Sequence, residues 1–190
     1  VGSEMCIRDR NMPGSGAYRP GDVFETYSGK TVEVFSTDAE GRNVLSDGLW
    51  KAGEFDPEYI VDLATLTGAV IVALGNQISG MWSNDDNVAS KLKNAAERSG
   101  EEVWRMPLND QFRKYMTDSA FADIRNGSIG GRAGSSNTAA AFLEFFVPNR
   151  GFEKDGEKIP WVHLDIAGSA WGPGSKAVSY THLTLPTILR

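Results

Sequence analysis

The sequence has very few of the residues that most often carry metal or nucleophile chemistry. It holds one cysteine and two histidines among 190 residues. A single cysteine excludes an intrachain disulfide framework and fits a reducing compartment. The N-terminus lacks the apolar stretch of a secretory signal. The longest apolar run, residues 69–74, is far shorter than the roughly 20 residues that cross a bilayer, so we predict no membrane association.

Positive charge is also scarce relative to negative charge. The chain carries 19 lysines and arginines against 25 acidic residues, which gives a formal net charge of −6. Such an acidic chain does not favour general nucleic-acid binding, and we expect no nucleic-acid partner. Hydrophobic residues make up 41% and charged residues 23%, a composition typical of a globular domain.

The two ends of the chain show no periodicity that continues into their neighbours. Residues 1–10 (VGSEMCIRDR) and 178–190 (VSYTHLTLPTILR) resemble peptides translated from sequencing-adapter DNA. We interpret both as non-native segments that flank a partial catalytic domain at residues 11–177. Cys6 and His182 then drop out as candidate site residues.

The remaining part of the chain has one histidine, His163, and no cysteine. Cysteine-nucleophile chemistry and Cys/His zinc sites are therefore excluded, and a Ser-His-Asp triad would depend on that histidine. Any metal site would have to use carboxylates, carbonyls or lysine.

Strand and helix patterns alternate along the chain. Their periodicity predicts strands at 31–35, 59–63, 103–108 and 161–166, and helices at 43–53, 87–99, 110–116 and 138–147. Asp85 and Asp86 are placed to cap the second helix and Gly100 to end it. The run 69–74 fits a strand or a helix. The alternation predicts an α/β layered fold.

Several polar features have ordinary structural interpretations. The glycine-rich segment 127–136 lacks the Gly-Lys pair of a phosphate loop, so we interpret it as a tight connection into a packed helix. His163 lies on an alternating strand, where we expect a structural hydrogen-bonding role, with Asp165 as its companion or as a cap of the strand end. Asp62 lies inside an apolar strand and needs a partner, which the sequence does not identify.

The segment STDAEGR, residues 36–42, joins a predicted strand to a predicted helix. If the segment is extended, Asp38 and Glu40 point to the same side, where a divalent cation would relieve their repulsion. The alternative is an acidic helix start that favours the helix dipole. A calcium loop is excluded because its last position is Leu49 rather than glutamate.

STDAEGR resembles the N-T-D-A-E-G-R signature of the leucyl aminopeptidase family. Further blocks resemble the family in the family's order: NMPGSGAYRPGDV, SGKTVEV, DLATLTGAVIVALG, AGSSNTAAAFLEFF and WVHLDIAGSAW. The likeness covers nearly all of residues 11–177. Ser36 departs from the usual asparagine but lies beside the implied ligands rather than among them.

The resemblance implies roles for the matching positions. Asp38 and Glu40 would bind two divalent metal ions, zinc or manganese, with Glu40 bridging both. Arg42 would be catalytic, holding a bicarbonate or similar oxyanion near the attacked carbonyl. The positions that would line the substrate cleft are Thr65, Leu66, Gly68 and Ala167.

The resemblance also implies a fold and an activity. The fold would be part of a three-layer, mixed-sheet, zinc-exopeptidase-like catalytic domain. The activity would be release of leucine-like residues from peptides with a free N-terminus, by two-metal hydrolysis in a cytoplasmic homohexamer.

In the family, the other metal ligands (a lysine and two aspartates) and a second catalytic lysine lie upstream of the NMP block. Nothing in residues 1–10 resembles that segment. We therefore expect a fragment that binds metal weakly and is inactive alone. A non-enzymatic or DNA-binding relative of the same fold is the alternative, and the upstream genomic sequence would separate an active enzyme's fragment from a non-enzymatic relative.

Overall fold

The structure, a computed structural model, describes residues 16–128 and 130–171. The predicted non-native segments 1–10 and 178–190 lie outside the described residues. Within the described ranges, no helix combines the length and apolar character that crossing a membrane requires.

A small sheet contains three strands in the described part of the chain: β1 (Val23–Glu25), β2 (Thr31–Glu33) and β6 (Ile124–Arg125). Strand β2 lies in the middle, where it pairs antiparallel with β1 and in parallel with β6. The turn between β1 and β2 contains Gly29, whose φ of 78° lies in the left-handed region that favours glycine. The predicted strand 31–35 is thus shorter than expected and ends at Glu33.

A second sheet contains four described strands: β3 (Ile60–Ala64), β4 (Ile78–Ser83), β5 (Glu102–Arg105) and β7 (Trp161–Asp165). Their order across the sheet is β3-β7-β4-β5. The β3–β7 and β4–β5 pairs are parallel, whereas β4 and β7 are antiparallel. The sheet is therefore mixed, as predicted.

Five α-helices connect these strands in the described part of the chain. They are α1 (Glu40–Gly53), α2 (Gly68–Leu74), α3 (Asp86–Ser99), α4 (Asp110–Thr117) and α5 (Ser135–Phe146). The ambiguous run 69–74 is thus helical. The ends of α3 confirm the prediction, because the Asp85 side chain accepts a hydrogen bond from Val88 N at 2.8 Å and Gly100 is left-handed with φ 79°.

Helices cover both faces of the four-stranded sheet. Trp82 of β4 packs in a large apolar cluster with Phe142 of α5, whereas its neighbour Met81 packs in a second cluster with Ala89 of α3. Adjacent residues of a strand point to opposite faces, so the two clusters lie on opposite sides of the sheet. This agrees with the layered α/β fold predicted from the alternation of elements and with the three-layer form that the resemblance implied.

Helix α5 lies in the centre of the molecule and almost all of its side chains are buried. It begins at Ser135, three residues before the predicted start, directly after Gly134 in a left-handed conformation with φ 63°. The glycine-rich segment is therefore a connection into a packed helix, as interpreted from the sequence.

The buried face of α1 includes small residues. Val44 is 72% exposed although it is apolar, while Ser46 and Gly53 are buried. Gly53 lies so close to the Pro148 ring that an added Cβ would collide with it. Helix α1 packs with small residues because the chain that follows α5 approaches it closely.

Strand β3 has an apolar sequence, which is typical of a buried strand, but it is only partly buried. In the described sheet it pairs with β7 on one side, and Leu63 is 46% exposed. An apolar run therefore predicted the strand correctly but not its position at an edge of the described sheet.

Candidate functional site

The segment STDAEGR joins β2 to α1 through a 3₁₀ turn at Thr37–Ala39. The strand-to-helix connection is confirmed, but the extended geometry assumed for Asp38 and Glu40 is wrong. Each residue of a helical backbone turns by about 100–120°, so side chains two positions apart diverge. Consistently, Asp38 lines the neighbouring cleft and Glu40, the first residue of α1, does not.

The cleft has a volume of about 360 Å³ and lies where three segments meet. These are the STDAEGR turn, the start of α2 and the connection that leads into α5. Of the residues assigned by resemblance, the lining includes Asp38, Arg42, Leu66 and Gly68. The lining does not include Glu40, Thr65 or Ala167.

The guanidinium of Arg42 is held by one hydrogen bond and lies near an aromatic ring. Its Nη1 donates to the Asn126 carbonyl at 2.9 Å, and its centre lies 6.0 Å from the Phe142 ring centroid. Its buried Nε has no hydrogen-bond partner in the described part of the chain. Burial lowers the pKa of Arg42 to about 10, against an opposing attraction from Asp165, so the side chain stays cationic at neutral pH.

Asp38 and Glu40 both carry solvent-exposed carboxylates. Carboxylate oxygens are ligands that zinc and manganese accept, so the donor type fits a divalent metal ion. Two carboxylates are too few to complete a metal site. Among residues 16–128 and 130–171, no group of three or more His, Cys, Asp or Glu side chains is arranged to hold a metal ion.

Asp165 organises the wall of the cleft in a way the sequence did not reveal. Its carboxylate accepts hydrogen bonds from Leu66 N at 3.0 Å, Thr67 Oγ1 at 2.6 Å and Ala167 N at 3.1 Å. The side chain therefore ties the segment after β3 to the segment after β7. Of the two roles considered for Asp165, capping the strand end is confirmed and pairing with His163 is wrong.

Thr67 links this network to α2. Its hydroxyl donates to Asp165 and accepts a hydrogen bond from Val70 N at 3.2 Å, which makes Thr67 the N-cap of the helix. Leu66 and Gly68, on either side of Thr67, consequently have a fixed position in the cleft wall.

His163 has the structural role that the sequence predicted, and its partner is Asp62. The parallel register places Asp62 opposite His163, and His163 Nδ1 lies 2.6 Å from Asp62 Oδ1. Trp161 Nε1 donates to the other carboxylate oxygen at 2.7 Å. His163 is fully buried and does not line the cleft. The acid in the apolar strand thus has two partners on the neighbouring strand.

Asn126 is the second contributor that sequence reasoning missed. It follows β6, is fully buried and contacts both the STDAEGR segment and Arg42. Its partners lie 84–91 residues away in the chain, and no local pattern indicated them.

The sequence model described as the cytosol aminopeptidase family, catalytic domain, matches residues 4–186. A probable cytosol aminopeptidase of Cenarchaeum symbiosum is 50% identical over 172 residues, which cover 90% of this chain and 33% of that protein. A probable cytosol aminopeptidase of Photorhabdus laumondii is 52% identical over 164 residues, covering 86% of this chain and 30% of that protein. The chain thus spans about a third of the length of the curated relatives it matches.

The chain is also similar to a solved aminopeptidase structure. A mutant of tomato leucine aminopeptidase superimposes with a TM-score of 0.76 at 43% sequence identity. The match covers 85% of this chain and 30% of that one.

Proposed function

The chain belongs to the cytosol aminopeptidase family, and from that premise we propose that it forms part of a metal-dependent peptidase that releases N-terminal residues from peptides. The observation that carries the proposal is the cleft, which Asp38 and the cationic Arg42 line together with Leu66 and Gly68. An acidic ligand, an oxyanion-binding cation and a substrate-binding backbone segment are the parts that metal-assisted amide hydrolysis requires.

Asp38 and Glu40 are the proposed metal ligands. The position of Asp38 in the cleft lining supports its role as a ligand. For Glu40 the support is that it directly follows Ala39, which also lines the cleft. A bound divalent ion would polarise the scissile carbonyl and lower the pKa of a coordinated water. The assignment of two ions, zinc or manganese, bridged by Glu40 remains a proposal from family membership.

Arg42 is the proposed oxyanion holder. A cationic guanidinium that lines the cleft offers charge-assisted hydrogen bonds to a planar anion such as bicarbonate, and to negative charge that develops on the substrate. The contact with the Asn126 carbonyl keeps the guanidinium from folding back onto the turn.

The substrate would lie against the segment that Asp165 organises. Leu66 and Gly68 line the cleft directly, and Thr65 precedes them with an exposed side chain. Ala167 is buried and joins the same network through its N–H, so it would shape the wall behind the substrate. A cytoplasmic location and a homohexamer, both implied by the family, remain predictions.

The described residues supply too few ligands to complete a metal site. We therefore propose that this chain alone binds metal weakly and hydrolyses nothing, because further ligands would have to come from outside the described residues. A non-enzymatic relative of the same fold is the second candidate.

Metal binding tests the ligand assignment directly. We expect weak Mn²⁺ binding to the full chain by electron paramagnetic resonance, weakened about tenfold or more by Asp38→Asn or Glu40→Gln. Glu97→Gln, which neutralises an exposed acid on α3, is the matched control and should leave the affinity unchanged. Equal affinities in all four proteins would refute Asp38 and Glu40 as ligands.

Hydrolysis of a leucine amide tests the activity. The chain alone should show none, whereas a chimaera that carries it in place of the matching third of the Photorhabdus relative should be active. Glu40→Gln in the chimaera should lower the rate by about a hundredfold or more. Robust hydrolysis by the chain alone would overturn the incomplete site, and a folded but inactive chimaera would favour the non-enzymatic alternative.

A further inference from the structure

Asn126 is a fully buried polar residue in the wall of the cleft. It directly follows β6, and its backbone N–H extends the parallel pairing with β2 by donating to the Glu33 carbonyl at 3.0 Å. Its own backbone is therefore anchored to the small sheet. The groups that bind the Asn126 side chain and carbonyl are consequently held at a fixed distance from that sheet.

The Asn126 side chain binds the backbone of the segment that leaves β2. Its Oδ1 accepts from Phe35 N at 2.8 Å and from Ser36 N at 3.0 Å, while its Nδ2 donates to the Ser36 carbonyl at 2.9 Å. Two acceptor bonds and one donor bond require both a carbonyl oxygen and an amide nitrogen, which asparagine provides in a short side chain. On the β6 side, these bonds replace the strand pairing that ends after Glu33, whereas Val34 still pairs with Gly21 and Asp22 on the other side.

An apolar contact supports the same attachment. The Phe35 ring covers Gly127, and a Cβ at Gly127 would lie 2.7 Å from the ring's Cδ1. The two segments therefore approach each other more closely than any residue but glycine would allow. The attachment fixes the backbone immediately before Asp38.

The carbonyl of Asn126 holds the other end of the motif. It accepts the hydrogen bond from Arg42 Nη1 at 2.9 Å, while the buried Arg42 Nε has no partner in the described part of the chain. One residue thus binds both the backbone that leads into Asp38 and the side chain of Arg42. Its side chain and its carbonyl act from a single anchored position.

We propose that Asn126 is a positioning residue that sets the separation between Asp38 and the Arg42 guanidinium. The functional meaning of this separation rests on the proposed function, in which Asp38 holds metal and Arg42 holds an oxyanion. Asn126 touches neither group's ligand and acts through the backbone at 35–36 and through Arg42.

A matched control is available in Asn84. Its side chain also bridges two backbone groups, donating to the Ile159 carbonyl at 3.0 Å and accepting from Trp161 N at 2.7 Å. Asn84 does not line the cleft. Asn84→Ala and Asn126→Ala therefore remove similar hydrogen bonds, and only the second is expected to affect the cleft.

The test uses nuclear magnetic resonance on the full chain and its variants. In Asn126→Ala we expect hydrogen exchange at the Phe35 and Ser36 amides to become about tenfold faster or more, and the Arg42 Nε–Hε resonance to shift. Asn84→Ala should change neither signal. If Asn126→Ala leaves both signals as they are in Asn84→Ala, Asn126 is a structural residue only and the proposal fails.

Asn126→Asp serves as the conservative variant, and it keeps the test decisive if the alanine variant does not fold. Its carboxylate retains both acceptor bonds and lacks only the donor to the Ser36 carbonyl, so the Phe35 and Ser36 amides should exchange more slowly than in Asn126→Ala. Complete loss of their protection in a folded Asn126→Asp would contradict the assigned contacts.

Binding of bicarbonate separates this proposal from the proposed function. If the oxyanion role of Arg42 is correct, the unmodified chain binds bicarbonate and Asn126→Ala weakens that binding about tenfold. If the unmodified chain binds none, the oxyanion role fails, whereas the exchange and resonance measurements still decide whether Asn126 positions the segment. Unchanged bicarbonate affinity in Asn126→Ala would overturn the positioning role.

Discussion

At the scale of single residues, the site depends on how closely backbone segments approach one another. Gly168 follows the cleft-wall residue Ala167 and packs directly against the backbone carbonyl of Gly75, at the end of α2. A side chain at Gly168 would push these segments apart. Asp165 ties the segment before α2 to the same segment after β7, so the glycine contact at the end of α2 and the carboxylate network support each other.

Gly168→Ala should therefore destabilise the protein. Its Cβ would overlap the Gly75 carbonyl oxygen, and backbone cannot move aside as a flexible side chain can. We expect a loss of about 1–3 kcal/mol in the free energy of unfolding, measured by urea denaturation.

Gly48→Ala is the matched control for this substitution. Gly48 is exposed within α1, and nothing lies within 4 Å of its added Cβ. Alanine there should stabilise the helix by about 0.5–1 kcal/mol. Destabilisation of similar size in both variants would show that the Gly75 contact is not the cause.

Single site residues could be predicted only where their chemistry is local in sequence. The acids and the arginine of STDAEGR lie within seven residues, and Asp38 and Arg42 do line one cleft. The roles of Asp165 and Asn126 depend on partners up to 99 and 91 residues away. A carboxylate that binds backbone N–H groups of another segment leaves no periodic signal, so sequence reasoning proposed only the cap by Asp165 of its own strand end and not its bond to the segment after β3.

At the scale of elements, caps give the clearest agreement between sequence and structure. Asp85 is the N-cap of α3, and its carboxylate accepts from Val88 N at 2.8 Å. The same bond is made at α4 by Asn109, which accepts from Phe112 N at 3.1 Å. A cap is a local interaction between residues three positions apart, which explains why the sequence predicted the Asp85 cap.

Asp85→Ala should cost about 1 kcal/mol in the free energy of unfolding, because it leaves a helix N–H without its partner. Asn87→Ala, an exposed position two residues further along the same helix, should cost nothing and serves as the control. Thermal unfolding followed by circular dichroism measures both. A melting temperature unchanged by Asp85→Ala would mean that water replaces the cap without loss.

Elements without a clear period were not predicted. Strand β4 (Ile78–Ser83) is buried along five of its six residues, so apolar and small residues face both sides and no alternation appears. The extent of β2 was also misjudged, since Phe35 continues the alternation but its N–H binds the Asn126 side chain instead of a strand. In both cases a tertiary contact overrides the local pattern.

At the scale of the whole molecule, α5 joins the small sheet to the four-stranded sheet. Lys30, in the turn between β1 and β2, reaches the C-terminal end of α5 and donates to the Phe145 carbonyl at 2.9 Å. Lys158 donates to the Glu144 and Val147 carbonyls, each at 2.8 Å. Two cations thus satisfy carbonyls at the negative end of the helix dipole.

Holding these cations away from water has a cost that depends on pH. Burial lowers the pKa of Lys158 from its ordinary value of 10.5 to about 8, and the nearby charge of Lys30 adds to the effect. Burial lowers the pKa of Lys30 as well. Below pH 8 both folded and unfolded chains carry the Lys158 proton, whereas between pH 8 and 10.5 the unfolded chain binds it more strongly.

Stability should therefore rise with pH over that interval through Lys158, with a slope of at most about 1.4 kcal/mol per pH unit. Lys158→Met removes the titrating group. The unfolding free energy of the unmodified chain minus that of Lys158→Met should therefore increase from pH 8 to pH 10. Lys154→Met, at an exposed lysine four residues earlier, should run parallel to the unmodified chain. Urea denaturation at a series of pH values measures all three, and parallel curves for Lys158→Met and the unmodified chain would exclude a lowered pKa at Lys158.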